Sequence, residues 1–115
     1  MLTTLRVRNL AAATEFYDAL LGVLGATRDY TVNASTSTWH IDDHSAFGIT
    51  EGPPMPFDPM LTFLAPSCGT VDAIATILPS IGARDIEMPA RTDTGSYACF
   101  FSDPDGNRLS VCHAD

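Results

Sequence analysis

The stretch FFSDPDGNRL, residues 100–109, carries the most informative local pattern in the chain. Its centre, Asp103-Pro104-Asp105-Gly106, combines the residue types that form tight turns: proline fixes φ, aspartate bonds to nearby backbone amides, and glycine accepts positive φ. Residues 97–102 are rich in aromatic residues, and apolar residues alternate with polar ones in 107–113, as expected of strands. The stretch therefore predicts a closing β-hairpin.

The segment before this hairpin repeats a pattern from the first half of the chain. The second copy follows the first by 57 positions, as Gly25 and Gly82 show. In both halves a short strand precedes an apolar stripe with helical spacing, a glycine ends the helix, and three short strands follow. The shared order of five elements predicts two paired βαβββ modules, and hence an α+β fold in which each helix covers one face of a curved sheet with a concave pocket. The matching residues are Leu21, Leu24, Gly25 and Ala26 in the first half, and Leu78, Ile81, Gly82 and Ala83 in the second.

A proline-rich segment separates the two halves. Residues 51–59 contain four prolines, so this segment can form neither a helix nor a central strand. We therefore expect module 1 at about residues 1–52, a linker at 53–59 and module 2 at about 60–115. A chain of 115 residues has the length of a single domain, so we expect the two modules to form one.

Charge and composition exclude several function classes. The net charge is −8 and all six basic residues are arginine, so we expect no nucleic-acid partner and no binding to an anionic membrane surface. No apolar run approaches the ~18 residues of a membrane span, and the N-terminal residues lack a secretory pattern. Three widely spaced cysteines without a C-x-x-C motif predict reduced thiols, so we expect a cytoplasmic protein.

Alternation along the predicted strands assigns side chains to the two faces of each sheet. One set is expected to face the helices: Leu5, Val7, Leu61, Phe63, Leu109 and Val111. The other set is expected on the concave side, which could enclose a ligand: Leu2, Thr4, Arg6, Met60, Thr62, Arg108, Ser110 and Cys112.

Three stretches together resemble one protein family and span nearly the whole chain. They are Leu5–Leu10 leading to Phe16-Tyr17, Leu21-Gly22 and Leu24-Gly25; Val71–Ile74 through Ile81-Gly82-Ala83; and the hairpin Phe100–Leu109. In these stretches the sequence resembles the glyoxalase/bleomycin resistance/dioxygenase superfamily, which has the vicinal oxygen chelate fold. The resemblance implies a homodimer with a pocket in each concave sheet.

The resemblance also implies where a metal ion would bind. The metal enzymes of the family place histidine, glutamate or similar ligands at the start of each module's first strand and on each module's last strand. Those positions correspond here to Leu2, Met60 and Ser110, with the fourth near Gly48. None of these side chains offers the imidazole, carboxylate or thiolate that a divalent ion requires. We therefore expect no metal ion and no other cofactor.

Other side chains leave alternatives open. The rings of Trp39, Tyr97 and Phe100 could wall a ligand pocket or simply fill the core. Arg6 could pair with an acid, bind an anionic or polar ligand group, or reach water at the rim. A displaced metal site could draw on His40, His44, Glu51, Asp58, Cys112 or His113.

Two function classes follow from these observations. The first is a metal-free binder of a small organic molecule, a drug or a metabolite, with which the acidic charge is compatible if the molecule is cationic. The alternative is a lyase, isomerase or dioxygenase of the same superfamily, either metal-dependent with displaced ligands or metal-free with Arg6 or His40 in the chemistry. No catalytic residue is predicted, and the predicted ligand-binding residues are Leu2, Arg6, Trp39, Met60, Tyr97, Phe100 and Ser110.

Overall fold

A computed structural model describes residues 2–33, 36–41, 45–53 and 61–114, with side chains described throughout these ranges except at residues 2, 3 and 30–33. Most of the predicted proline-rich linker, together with Met60 and His44, lies outside the described residues. The chain divides into two compact units, Met1–Pro56 and Phe57–Asp115, for which we keep the names module 1 and module 2.

Module 1 is a four-stranded sheet covered on one face by a helix. The elements of module 1 are β1 (Leu2–Val7), α1 (Leu10–Val23), β2 (Thr27–Asn33), β3 (Thr36–His40) and β4 (Ala46–Glu51). The strand order is β1-β4-β3-β2, with β1 parallel to β4 and the other neighbours antiparallel. The helix α1 begins after Asn9, whose side chain accepts a hydrogen bond from the backbone N–H of Ala12.

Module 2 repeats this arrangement. The elements of module 2 are β5 (Leu61–Leu64), α2 (Cys68–Ile77), the 3-10 turn Leu78–Ile81, β6 (Arg84–Arg91), β7 (Tyr97–Ser102) and β8 (Arg108–His113). The strand order is β5-β8-β7-β6. The Ser67 hydroxyl accepts a hydrogen bond from the backbone N–H of Thr70 and so caps the first turn of α2. The helix continues into the 3-10 turn, which contains Pro79, and Gly82 then adopts a φ of 91°.

The predicted α+β fold of two βαβββ modules is therefore confirmed. The predicted hairpin is also present, since β7 and β8 pair antiparallel around residues 103–107. The strand β6 is the least regular of module 2, because its pairing with β7 shifts register twice, between Arg84 and Glu87 and between Glu87 and Ala90.

Each module buries apolar residues between its helix and its sheet. In module 1 the helix contributes Phe16, Tyr17, Leu20 and Leu21. In module 2 the helix contributes Val71 and Ile74, and the 3-10 turn contributes Leu78. Of the side chains expected to face the helices, Leu5, Val7, Phe63, Leu109 and Val111 are buried and Leu61 is half-buried. No helix among the described residues is long and apolar enough to cross a membrane.

Candidate functional site

The face of the module 1 sheet that points away from α1 is named here the helix-free face. Ser37 lies on the other face, because its hydroxyl is 2.9 Å from that of Thr14 on α1. The alternate residue Thr38 therefore lies on the helix-free face, with Gly48 beside it on β4 and Thr4 beside Gly48 on β1. Asp29 on β2 ends this row, since it pairs with Thr38.

The centre of this row lacks a side chain. A Cβ atom at Gly48 would lie 3.6 Å from the hydroxyl oxygens of both Thr4 and Thr38. Two hydroxyl groups therefore flank Gly48, which is itself buried, and we call this position the glycine hollow. Both hydroxyl groups can donate and accept hydrogen bonds.

An acid and an imidazole pair next to the glycine hollow. Nε2 of His40 lies 3.1 Å from Oδ2 of Asp29, and their side chains are 55% and 32% exposed. His40 lies two residues after Thr38 on β3, so both side chains are on the helix-free face. The pair is thus accessible and lies beside the row that contains the hollow.

Arg6 also lies on the helix-free face. It alternates with the buried Leu5 and Val7 along β1, and its side chain is exposed. It pairs in register with Thr50, whose hydroxyl accepts a hydrogen bond from Thr36 at 3.3 Å. Arg6 is on the predicted face, but it is exposed and not enclosed by apolar residues.

Trp39 lies on the opposite face from the predicted one. Its side chain is 1% exposed and its ring is 6.0 Å from those of both Tyr17 and Phe47. Its Nε1 donates to the Asp18 carboxylate of α1 at 2.7 Å, and Arg28 binds the other oxygen of that carboxylate at 2.8 Å. Trp39 is therefore part of the core under α1. Alternation along β3 could have indicated the core position, because Trp39 lies between the polar residues Thr38 and His40, which are on the other face.

Tyr97 is likewise on the helix side, in module 2. Its hydroxyl donates to the Asp72 carboxylate of α2 at 2.6 Å, and this hydrogen bond raises the pKa of Tyr97 above its ordinary value. The Arg91 guanidinium lies 5.6 Å from the ring centroid. Tyr97 therefore fastens β7 to α2 and does not lie on the helix-free face.

Phe100 and Ser110 are on the helix-free face of module 2. They pair in register, and Thr62 pairs with Ser110 from the other side. The hydroxyl oxygens of Thr62 and Ser110 lie 2.8 Å apart. Ser110 is 2% exposed, whereas Phe100 is half-buried. This row therefore combines a hydroxyl pair with an aromatic ring.

A charged cluster closes one end of this face. Arg108 donates from Nη1 to the backbone carbonyl of Asp85 at 2.8 Å and from Nη2 to the Glu87 carboxylate. Its Nη1 also lies 3.4 Å from the Ser102 hydroxyl. Asp85 has a φ of 49°, which brings its carbonyl to Arg108 at the first register shift of β6. The guanidinium is thus bound by its own module.

The comparisons with known proteins give the family. The model of the glyoxalase/bleomycin resistance protein/dioxygenase superfamily matches residues 2–111. The chain belongs to this superfamily. No protein of curated function is similar enough in sequence to match.

Solved structures of superfamily members share the fold. A glyoxalase/bleomycin resistance protein from Albidiferax ferrireducens is 29% identical, with a TM-score of 0.87 over 99% of this chain and 97% of that one. A lactoylglutathione lyase from Agrobacterium tumefaciens is 20% identical, with a TM-score of 0.72 over 99% and 92% of the two chains. The fosfomycin resistance protein FosX from Mesorhizobium loti is 18% identical, with a TM-score of 0.72 over 97% and 88%.

The described residues do not fit the metal site of the superfamily's metal enzymes. Of the two last-strand positions, Gly48 has no donor atom, and Ser110 offers a neutral hydroxyl already paired with Thr62. No group of three or more His, Cys, Asp or Glu side chains that could hold a metal ion occurs among the residues that the structure describes. The other two positions are occupied by leucine and methionine: the Leu2 side chain is not described, and Met60 lies outside the described residues.

Among the alternative metal ligands that the structure describes, no three come together. Cys112 and His113 are adjacent on β8 and so lie on opposite faces, and His113 Nδ1 is 2.9 Å from the carbonyl of Ala65. His44 and Asp58 lie outside the described residues. The pairing of His40 with Asp29 was not part of the sequence predictions, because it depends on the β2–β3 register.

Proposed function

We propose that this superfamily member binds a small organic molecule on a helix-free face, without a resident divalent metal ion. The observation that supports this most is the environment of Ser110. At this position the metal enzymes of the family normally carry a glutamate, whereas here a hydroxyl is buried and paired with Thr62 at 2.8 Å. A neutral hydroxyl is a weak ligand for a divalent transition metal, but it is a good partner for a polar ligand group.

The chemistry around Ser110 favours an organic molecule with a flat apolar part. The Phe100 ring offers a face for stacking, and Leu64, which is 75% exposed, lies on the same face next to the row. Ligand sites typically combine such apolar walls with a few polar groups. The net charge of −8 favours the approach of a cationic or neutral molecule over an anionic one.

The names of the structural neighbours include both a resistance protein and an enzyme. One neighbour is a fosfomycin resistance protein and another a lactoylglutathione lyase. The experiments on this chain therefore need to separate three cases: metal-free binding, metal-dependent chemistry and metal-free chemistry.

The first experiment is elemental analysis of protein purified without chelator. We expect zinc, iron, manganese and nickel to be far below one equivalent per chain, because the described last-strand positions provide no competent ligand. We also expect the thermal midpoint to be the same with and without EDTA, since a metal bound to the native state would stabilise it. One tightly held transition metal ion per chain would contradict the proposal.

The second experiment is calorimetric titration with metal-free bleomycin, a cationic organic probe, in buffer that contains EDTA. We expect saturable binding that Phe100→Ala weakens by about tenfold, because an aromatic contact contributes about 0.5–1.5 kcal/mol beyond burial. Val23→Ala is the matched control, since Val23 is exposed on α1 of the other module. S-lactoylglutathione and fosfomycin serve as second and third probes, and failure of all three to bind would count against the proposal.

We also propose that the chain forms a homodimer. Leu64 and Met88 are 75% and 70% exposed, and β5 and β6 are edge strands of their sheet. Unpaired strand edges and exposed apolar side chains are commonly covered by a second chain. Light scattering at micromolar concentration should give twice the 12.3 kDa of one chain, and a single species at 12.3 kDa would contradict the dimer.

A further inference from the structure

Two charged side chains border the Phe100 ring and leave part of their hydrogen-bonding capacity unused. We propose that Glu87 and Arg108 select a neutral cyclic amide, a planar ring with an N–H group beside a carbonyl group, which stacks on Phe100. This inference rests on the proposed function, because it requires a small molecule on the helix-free face of module 2. It adds the chemical class of that molecule and the two residues that select it.

The strand registers place the three side chains next to one another. Glu87 on β6 pairs with Phe100 on β7, and Arg108 on β8 pairs with Ser102, which follows Phe100 on the same face. Side chains directly opposite each other on neighbouring strands have Cβ atoms about 5 Å apart, and diagonal neighbours are about 7 Å apart. A ring stacked on Phe100 is therefore within reach of both charged groups.

All three side chains are accessible. The Glu87 side chain is 67% exposed and that of Arg108 is 33% exposed. Phe100 is half-buried, and its same-face neighbours along β7 are the small residues Ala98 and Ser102. The Phe100 ring therefore projects further from the sheet than the side chains beside it on the strand.

The guanidinium of Arg108 is held in place but not saturated. Its Nη1 donates to the Asp85 carbonyl at 2.8 Å and lies 3.4 Å from the Ser102 hydroxyl, and its Nη2 donates to Oε2 of Glu87. No residue that the structure describes accepts from Nε of Arg108 or donates to Oε1 of Glu87. Nε and Oε1 each lie one bond angle away from an atom of the Nη2–Oε2 hydrogen bond. An N–H donor and a carboxylate oxygen thus remain available side by side.

A donor beside an acceptor fits a cyclic amide. The N–H of such a ring can donate to Oε1 of Glu87 while its carbonyl oxygen accepts from Nε of Arg108, and both hydrogen bonds gain strength from the ionised partner. The two side chains neutralise each other, so a ligand ammonium group would be repelled by Arg108 and a ligand carboxylate by Glu87. Of the cationic and neutral molecules that the net charge of −8 favours, the neutral ones fit this edge.

Module 1 does not combine these three groups. The residues at its positions equivalent to Phe100, Glu87 and Arg108 are Thr38, Asp29 and Ala46, as the strand registers show. An aromatic surface and a guanidinium are therefore both missing from those three positions. The proposed specificity is confined to module 2.

The test is a titration of ¹⁵N-labelled protein followed by NMR, with 1-methyluracil and 1,3-dimethyluracil as probes in buffer that contains EDTA. The two compounds share one ring and differ only at the imide nitrogen, which carries hydrogen in the first and a methyl group in the second. We expect 1-methyluracil to bind saturably and to shift the amide signals of Phe100 and Glu87. The dimethyl compound should bind at least about tenfold more weakly, because it cannot donate to Glu87.

Variants assign the discrimination to its residues. Glu87→Ala should bring the two dissociation constants to within about threefold of each other, because the difference between the probes depends on this carboxylate. Phe100→Ala and Arg108→Ala should each weaken both probes and preserve their ratio, since both probes have the ring and a carbonyl oxygen. Glu15→Ala is the matched control, since Glu15 is an exposed glutamate on α1 of the other module, and it should change neither constant. The NMR spectra show whether each variant is folded.

The outcomes separate this inference from the proposed function. Equal affinities of the unmodified protein for the two probes overturn the inference, and so does a ratio that persists in Glu87→Ala. Tighter binding of uridine 5′-monophosphate than of 1-methyluracil also overturns it, because the phosphate would then be recognised. If neither uracil binds while bleomycin binds and Phe100→Ala weakens it, the cyclic-amide class is wrong and the proposed function stands. If none of the probes of either experiment binds, both are overturned.

Discussion

Modules 1 and 2 have the same backbone plan but different chemistry at equivalent positions. In both, a backbone hydrogen bond links the ends of the last two strands, from Ile41 N–H to the Ser45 carbonyl in module 1 and from Asp103 N–H to the Asn107 carbonyl in module 2. Counted from these hydrogen bonds, Gly48 is equivalent to Ser110 and Thr38 to Phe100. The helix-free face therefore differs between the modules, although the β3–β4 and β7–β8 registers are the same.

The helix side of the two modules varies less. Trp39 and Phe47 of module 1 are equivalent to Phe101 and Leu109 of module 2, and all four are buried. Apolar burial drives the packing of each helix on its sheet, so these positions stay large and apolar. The helix-free face does not pack on a helix, although some of its residues, such as Ser110, are also buried. The comparison therefore points to that face as the place where the chemistry of this chain is determined.

The largest loss of stability is expected from a substitution in the core under α1. Trp39→Ala should lower the free energy of unfolding by about 3–5 kcal/mol, the usual cost of removing a buried large aromatic side chain. Trp39→Phe installs the residue found at the equivalent position of module 2. It should cost about 1.5–3 kcal/mol, because it removes the hydrogen bond to the Asp18 carboxylate and leaves part of the volume of the buried indole unfilled.

Urea denaturation followed by circular dichroism measures both changes. If Trp39→Ala costs less than about 1 kcal/mol, the ring is not packed under α1 and the placement of this residue in the core is wrong.

The second largest loss of stability is expected from a substitution in the turn between β7 and β8. Asp103 is 0% exposed and its carboxylate accepts from the backbone N–H groups of Asp105 and Asn107 and from the Asn107 side chain. Asp103→Ala leaves these donors without their acceptor, so we expect a loss of about 3 kcal/mol in unfolding free energy. The matched control is Ile41→Ala at the equivalent, 39% exposed position of module 1, which should cost far less. Equal losses in the two variants would show that the buried carboxylate does not stabilise its turn.

Much of the fold could be predicted from the sequence because it depends on local signals. The Asp103–Gly106 turn, the glycines that end the helices and the alternation of Leu5 and Val7 each act within a few residues. The five-element repeat then gave the module plan. Two local details are not fixed by such signals. Both Ser67 and Thr70 could cap α2 by residue type, and the register shifts of β6 leave no clear pattern in its sequence.

The candidate site was harder to predict, because it depends on partners distant in sequence. Trp39 and Tyr97 were expected at a ligand, but acidic side chains of the helices bind their polar atoms, and composition does not indicate those contacts. The pairing of His40 with Asp29 requires the β2–β3 register, which shifts between Asp29 and Asn33. Side chains on the helix-free face do not pack on the helix of their module, so hydrophobic periodicity places them on that face without showing which of them meet.

The third prediction compares Ser37 with its equivalent, Cys99. The Ser37 hydroxyl contacts α1, whereas the Cys99 thiol donates to the Glu87 carbonyl, and burial raises the pKa of Cys99 to about 11. At pH 9 the native thiol should therefore be alkylated by iodoacetamide at least about 50-fold more slowly than the unfolded thiol, because its thiolate fraction is smaller by about that factor and burial also keeps the reagent away. Mass spectrometry of the labelled peptides measures the rates, and the half-buried Cys68 and Cys112 serve as internal references.

The raised pKa of Cys99 also makes the stability of the protein depend on pH. The folded pKa lies above the unfolded value of 9.0, so the stabilising contribution of the protonated thiol is complete below pH 9 and declines as the pH rises towards 11. The unfolding free energy of the unmodified protein should thus fall more steeply over this range than that of Cys99→Ser. Equal slopes for the two proteins would contradict the raised pKa.

The smallest effect on stability is expected at the position that most separates the two helix-free faces. Gly48→Ser gives module 1 the residue of module 2. Its Cβ would meet the Ser37 carbonyl at 3.4 Å and the hydroxyls of Thr4 and Thr38 at 3.6 Å, which are ordinary contacts, so the backbone need not move. The unfolding free energy should change by less than about 1 kcal/mol, because the strain is small and glycine is itself unfavourable in a strand. The melting curve should therefore stay nearly the same. A loss of several kcal/mol would instead show that the backbone around Gly48 cannot accept a side chain.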